Sequence, residues 1–394
     1  MYLSSTTIIQ RELKMKLFIN RKLLVFILFL NWNCQANSVD ILASQLFEEA
    51  VISPSVPGIN VAVSYKAGIK WAKGFGFADL EHQVPMTTET KMRIGSVAKV
   101  MTTAALMRLY EKELIDLNKD IRHYVPQWPK KHKTITLNQL ASHTSGVRHY
   151  NKGEFLNNGD YKTTVNALDI FKHDDLLFIP GAKFRYSTYA WTLVSAAMES
   201  AAGNVPFKKV IREQVLTPLQ LTNTTFDDNN TIIINRQSAY VYRDDVLMNA
   251  PEVFSSYKYA GGGFLATPSD VSLFAINHAS EGYLKSETLA KMFTKQKLLD
   301  GSDNLFGIGW VVGFDSYINK AKRNKIKGDE NTALMMKHAN SVMHSGSSMG
   351  GVTMMILCLE HAHSVAVVKN VSGENSANVF NLALKTLDLF TPVK

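Results

Sequence analysis

Arg93-Ile94-Gly95-Ser96-Val97-Ala98-Lys99-Val100 has the character of a turn followed by the first turns of a helix. Beyond it Val100, Ala104, Met107 and Leu109-Tyr110 recur at three- and four-residue spacing, with Arg108, Glu111 and Lys112 between them. That spacing predicts an amphipathic helix of about four turns. Ser96 falls at an N-cap or first-turn position and Lys99 follows three residues later, so both side chains project from one side of the helix. A serine hydroxyl is a weak nucleophile until a base takes its proton. A lysine is that base only when neutral, and burial and the positive end of the helix dipole both disfavour its ammonium form. Ser96 is the candidate nucleophile and Lys99 its candidate base. The four-residue pattern also occurs at Ser255 and Lys258, so the assignment depends on partners elsewhere.

The chain outside this stretch is of ordinary globular composition: 394 residues, 46% apolar and 20% charged, long enough for a large core. Part of the formal charge of +9 sits in the first 36 residues, where Arg11, Lys14, Lys16, Arg21 and Lys22 face a single acid, Glu12. The other basic residues are scattered apart from Lys320 to Lys327, which argues against nucleic acid as a partner. Lys16, Arg21 and Lys22 precede the apolar run Leu23 to Leu30, and Ala36 offers a small residue for cleavage. This is the layout of a secretory signal peptide over residues 1–36, with Met15 as an alternative start, and the run is too short to span a bilayer. An exported protein is expected, periplasmic or secreted, with no further transmembrane span. Cys34 would leave with the signal or carry a lipid, although Leu30 to Cys34 is a poor lipid-attachment sequence; Cys358 then has no disulfide partner and reads as a buried core thiol.

Val39 to Val51 has helical spacing, and Asn60 to Tyr65 with Ile69 to Phe77 reads as a hairpin. Thr136 to Ser142, Asn166 to Leu176 and Ala190 to Ala202 predict helices, and Ser269 is placed to cap another through Ala279. Phe306 to Phe314, Val352 to Leu359 and Ser364 to Asn370 are β-rich, Ile318 to His338 reads as a surface insertion, and Val379 to Leu389 closes the chain as a helix. Strands at both ends with helices between imply one sheet assembled from the two termini, with an all-helical lobe inserted at roughly residues 115–255.

Two further stretches carry candidate chemistry. In Gly181-Ala-Lys-Phe-Arg-Tyr186-Ser-Thr188 a loop leads into a helix, placing the Tyr186 phenol where it can enter a cleft from the helical lobe. Near a protonated lysine a phenol titrates lower, so Tyr186 and Lys99 can share general-base and general-acid work. In Val342-Met-His344-Ser-Gly346-Ser347, Gly346 would let substrate lie against a strand edge and the next backbone N–H could face an oxyanion. His344 could donate hydrogen bonds to a substrate carbonyl or carboxylate.

These three motifs, S-x-x-K, Y-x-[NT] and H-x-G in that order, resemble the serine β-lactamase and penicillin-binding-protein superfamily, in its class C, D,D-peptidase and esterase branch. Leu140-Ala-Ser-His-Thr-Ser-Gly146, Ala260-Gly-Gly-Gly-Phe-Leu-Ala-Thr-Pro-Ser-Asp270 and Phe306-Gly-Ile-Gly-Trp310 extend the likeness. Tyr124 to Pro129, Ser142 to Tyr150 and Tyr186-Ser-Thr188 look most like the mitochondrial serine β-lactamase-like proteins and their bacterial relatives. The resemblance implies an α/β (α+β) β-lactamase/transpeptidase-like fold with an antiparallel sheet, one catalytic domain over residues 37–394, and no metal or organic cofactor. It implies Ser96 as acylated nucleophile, Lys99 as base, Tyr186 as proton-transfer partner, and an oxyanion hole from the N–H groups of Ser96 and Ser347. Thr188, His344 and Gly346 would bind substrate, a small-molecule or peptide acyl compound, and a homo-oligomer is left open. Thr188 stands where many members have asparagine, and His344 where many lactamases have lysine. A peptidase or esterase is therefore expected ahead of efficient β-lactam hydrolysis.

Three rival patterns compete with this reading. Gly346-Ser-Ser348-Met-Gly350 matches G-x-S-x-G, but the residues after it look like a strand where a nucleophile elbow needs a helix. His361-Ala-His363 could ligate a metal, yet no carboxylate or cysteine lies at helpful spacing, so a turn is expected and no metal. A non-catalytic, self-assembling scaffold of the same fold would be expected to have lost Ser96, Lys99 or Tyr186, and all three are present.

Overall fold

The computed structural model describes residues 38–66, 68–315, 317–319, 330–373 and 377–391. Contacts divide the chain into two units, residues 1–46 and residues 47–394. In the first, residues 38–46 are helical; the expected signal peptide and Lys320 to Lys327 lie outside the described residues. Among the described residues no helix is long and apolar enough to cross a membrane.

The second unit is built on seven antiparallel strands: β1 (Gly58–Tyr65), β2 (Gly68–Asp79), β3 (Val84–Pro85), β4 (Val311–Val312), β5 (Ser341–Ser348), β6 (Gly351–Cys358) and β7 (His363–Lys369). Their order is β3-β2-β1-β7-β6-β5-β4. Strand β1 pairs with β7, Val63 opposite Val365, so both ends of the chain meet in mid-sheet. Both strands are Val- and Ala-rich and buried almost throughout, as strands covered on both faces must be. Their polar members are satisfied locally: Ser272, on the covering helix, places its Oγ 2.9 Å from Ser64 Oγ and 3.0 Å from Ser364 Oγ.

Four helices matter for the site: α1 (Ala98–Glu111), α2 (Tyr189–Ala201), α3 (Pro268–Ile276) and α4 (Val379–Leu389). Helix α1 has the expected four turns but is buried on more than the one face its spacing predicts. Every residue from Ala98 to Met107 is buried, because α1 runs through the main core. Its threonines are tolerated there by donating to carbonyls, Thr102 Oγ1 to Ala260 O and Thr103 Oγ1 to Lys99 O, each at 2.9 Å.

Other expectations need correcting. Helix α3 is capped by Thr267, whose side chain accepts from Asp270 N, and not by Ser269, because Pro268 occupies the first helical position. The segment Phe306 to Phe314 yields only the short β4, since Gly309 and Gly313 adopt φ of +76° and +71° and turn the chain out of extension. The inserted region is not all-helical to residue 255. Thr225–Phe226 pairs with Phe264–Ala266, while Tyr240–Arg243 and Val246–Asn249 form a hairpin whose first strand runs parallel to Val371–Gly373. Tertiary pairing with the sheet lobe decides these segments, which their mixed composition does not.

Candidate active site

Ser96 sits in a 3-10 turn, Gly95–Val97, that runs directly into α1. The first bond of the turn runs from Val97 N to Ile94 O, so the Ser96 N–H precedes the bonded series. Ser96 is not an N-cap: no side-chain cap bond forms, and its half-buried hydroxyl is left for other partners.

Lys99 is fully buried and its Nζ lies 3.1 Å from Ser96 Oγ, 3.2 Å from Thr188 Oγ1 and 2.5 Å from Gly261 O. Burial, and then the charge of Lys258, hold its pKa well below the usual lysine value. A neutral amine has two hydrogens and one lone pair. The Gly261 carbonyl can only accept, and Thr188 Oγ1 can accept the second hydrogen, which leaves the lone pair for the Ser96 hydroxyl. The spacing argument from sequence is thus met by a protonation state that burial imposes.

Tyr186 hydrogen-bonds Ser96, and its ring stacks on His143 at 4.2 Å and lies 4.9 Å from Lys99 Nζ. Here the sequence expectation is reversed. Burial pushes the lysine beside it down and the phenol up, so Tyr186 keeps its proton and is a proton donor and not a phenolate base.

His344 also differs from expectation. It is buried under the strand edge, and its Nδ1 lies 2.6 Å from Ser345 O, an acceptor, so Nδ1 carries the proton. Nε2 is therefore bare, and it is buried with no partner among the described residues. Burial, and then Lys99, push its pKa down to about 3. His344 is a neutral acceptor at physiological pH, neither a donor to substrate nor a replacement for a lysine charge. On the same strand Ser345 and Ser347 are the exposed residues.

Strand β5 meets the nucleophile turn at backbone distance. A Cβ on Gly346 would stand 2.0 Å from Ile94 O, and one on Gly95 would stand 2.6 Å from Ser347 N. Gly313 N donates to Ser341 O from the β4 side, and antiparallel alternation then turns Ser345 O and Ser347 N–H to that same edge, beyond the end of β4. The N–H groups of Ser96 and Ser347 are thus brought together as an oxyanion pair would require.

Several contributors escaped the sequence. His143 Nδ1 accepts from Ser187 N and His149 Nδ1 from Thr188 N, each at 3.1 Å, while Arg185 N donates to His143 O at 2.9 Å. The phrase Ser142 to Tyr150 therefore grips the loop that presents Tyr186 and Thr188. Tyr150 hydrogen-bonds Thr188 in turn. Lys258, part of the second S-x-x-K match, is 3% exposed with its Nζ 4.8 Å from the Phe155 ring and 5.2 Å from the Tyr257 ring. It has no ion pair among the described residues, and burial, then Arg93, push its pKa down to about 8. Lys258 N donates to Ser255 O at 3.0 Å, but among the described residues no side-chain hydrogen bond joins Ser255 to Lys258, so this second S-x-x-K is not a second nucleophile pair. Ser348 is no nucleophile either: its Oγ donates to Gly351 O at 3.2 Å and strand β6 follows where an elbow needs a helix.

A profile of the beta-lactamase family matches residues 43–388, and the chain belongs to that family. Its fold is the β-lactamase/transpeptidase fold, an antiparallel sheet with flanking helices. It is 27% identical to the serine beta-lactamase-like protein LACTB, mitochondrial, of Mus musculus, across 80% of this chain and 72% of that protein. Among solved structures, EstCE1, a hydrolase with promiscuous acyltransferase activity, superposes with a TM-score of 0.73 at 21% identity, covering 91% of this chain and 99% of that one. The D-amino acid amidase of Ochrobactrum anthropi SV3 gives 0.73 at 18% identity, covering 89% and 98%.

Proposed function

We propose that this protein is an exported serine hydrolase that cleaves ester or amide substrates through an acyl-enzyme, peptidase- or esterase-like, with a signal peptide removed near Ala36. The observation that carries the reading is the buried Lys99 amine with its lone pair free for Ser96 Oγ at 3.1 Å. Ser96 Oγ attacks the acyl carbon as its proton passes to Lys99 Nζ, and the oxyanion is held by the N–H groups of Ser96 and Ser347. As the tetrahedral adduct collapses, the Tyr186 phenol donates a proton to the leaving group and is refilled from Lys99. Water, giving its proton to Lys99 Nζ, then attacks the Ser96 ester, and that proton passes to Ser96 Oγ as the acid is released.

The neutral, buried His344 supplies no cation for a substrate carboxylate, which favours esters and amides over β-lactams. The hydrolase EstCE1 and the D-amino acid amidase, which share the fold, are in keeping with acyl substrates of this kind. The test is intact-protein mass spectrometry with a fluorophosphonate serine probe. One adduct, lost in Ser96→Ala, is expected; well-folded protein that takes up neither the probe nor an ester reporter would move the function to a non-catalytic scaffold. The untreated mass of secreted material reads the cleavage point.

A further inference from the structure

At the end of the sheet away from Ser96, three potential metal ligands converge and a further histidine stands beside them. His338 follows the helix Glu330–Lys337, Cys358 ends β6, His361 lies in the turn after it, and His363 opens β7. Ligand atoms of His338, Cys358 and His361 all lie within 4.8 Å of one another. The rings of His338, His361 and His363 form a triangle with every centroid separation 5.9 Å. Sequence spacing hid this: the register that sets Cys358 opposite Ser341 brings His338 to the turn holding His361 and His363.

The tautomers are fixed from outside. His338 Nε2 lies 3.0 Å from the Asp388 Oδ1 carboxylate oxygen, and His363 Nε2 lies 3.0 Å from the Leu387 carbonyl. Both partners only accept, so each Nε2 carries the proton and each Nδ1 is bare. Both Nδ1 atoms are buried without a partner among the described residues, a state that needs an explanation in a packed interior. His361 Nδ1 faces Cys358 Sγ at 3.3 Å.

We propose that His338, Cys358, His361 and His363 form a structural site for a tetrahedral, thiolate-accepting divalent cation, zinc by preference. Three imidazoles and one thiolate are a borderline-soft donor set, and a carboxylate behind one imidazole and a carbonyl behind another are the outer supports such sites use. Coordination releases the Cys358 thiol proton to solvent. The ion would tie the helix before β5, the β6–β7 turn and, through Asp388 and Leu387, helix α4 into one unit. Ser347 lies six residues along β5 from Ser341, about 20 Å away, so the ion takes no part in the chemistry at Ser96.

The test uses the full chain without a polyhistidine tag, stripped by chelator and titrated with Co2+ and then Zn2+. One Co2+ per chain with a thiolate charge-transfer band and tetrahedral ligand-field bands, displaced by Zn2+, is expected. Cys358→Ser should lose the charge-transfer band and Cys34→Ser should keep it. Asp388→Asn should weaken binding by about 10–100-fold. Should Cys358→Ser not fold, His361→Gln, on a partly exposed turn, reads the same loss of the tetrahedral spectrum. No stoichiometric binding to the folded wild type, or a spectrum unchanged in Cys358→Ser or His361→Gln, overturns the site.

Discussion

A Cβ on Gly346 would stand 2.0 Å from the carbonyl oxygen of Ile94, so strand β5 and the turn carrying Ser96 touch through bare backbone. The contact sets the distance between the two N–H groups assigned to the oxyanion. Gly346→Ala should push the strand outward, costing about 1–3 kcal/mol of stability and, for a displacement near 1 Å, about 10²-fold in kcat/KM. Ester turnover and a thermal melt check both; full activity in a folded Gly346→Ala protein would remove β5 from the site.

Ser96→Ala should reduce ester hydrolysis to background while leaving the melting temperature nearly unchanged, because a half-buried hydroxyl is all that is lost. Lys99→Met should lower kcat/KM by about 10²–10⁴-fold. It should also stabilise the fold, because the native pKa of Lys99 lies well below 10.5 and the unfolded chain binds a proton the native state does not. That gain should be largest in acid and shrink as the pH rises towards 10.5, which chemical denaturation at several pH values measures.

Activity requires neutral Lys99, so kcat/KM should rise with pH through the depressed pKa of that residue and then level off. Lys258 is charged below about pH 8 and depresses Lys99 further. Lys258→Met removes that repulsion, and the acid limb should move to higher pH with little change in the plateau. An unmoved limb would mean that the two lysines are not coupled.

Tyr186→Phe should lower kcat by about 10²–10⁴-fold with KM little changed, since the phenol donates to a leaving group and is not a binding contact. Because burial raises the phenol, the wild type should also keep its activity above pH 10, where an ordinary tyrosine has begun to lose its proton. Rate profiles with good and poor leaving groups separate the two effects: an activated aryl ester should be much less sensitive to the substitution.

His344→Lys should improve acylation by a carboxylate-bearing β-lactam about tenfold, a fair return for one charge-assisted hydrogen bond. Stopped-flow acylation rates measure it. No improvement would place the limit at Thr188 or in the shape of the pocket.

The S-x-x-K pair, Tyr186 and Gly346 were legible in the sequence because each depends on local geometry: one helical turn, one loop before a helix, one residue without a side chain. The sheet built from both chain ends was legible for a similar reason, since runs such as Asn60 to Tyr65 and Ser364 to Asn370 are apolar enough to be buried on both faces. What the sequence could not determine were protonation states and long-range company. Lys99 is neutral, Tyr186 protonated and His344 a bare acceptor because of how deeply each is desolvated, which depends on elements far away in the chain. Lys258 beside Lys99, His143 and His149 under the Tyr186 loop, and His338 beside Cys358 are likewise products of strand register and helix packing. Hydrophobic patterning is set by neighbours in sequence, but charge and hydrogen bonding in a low-dielectric interior are set by neighbours in space.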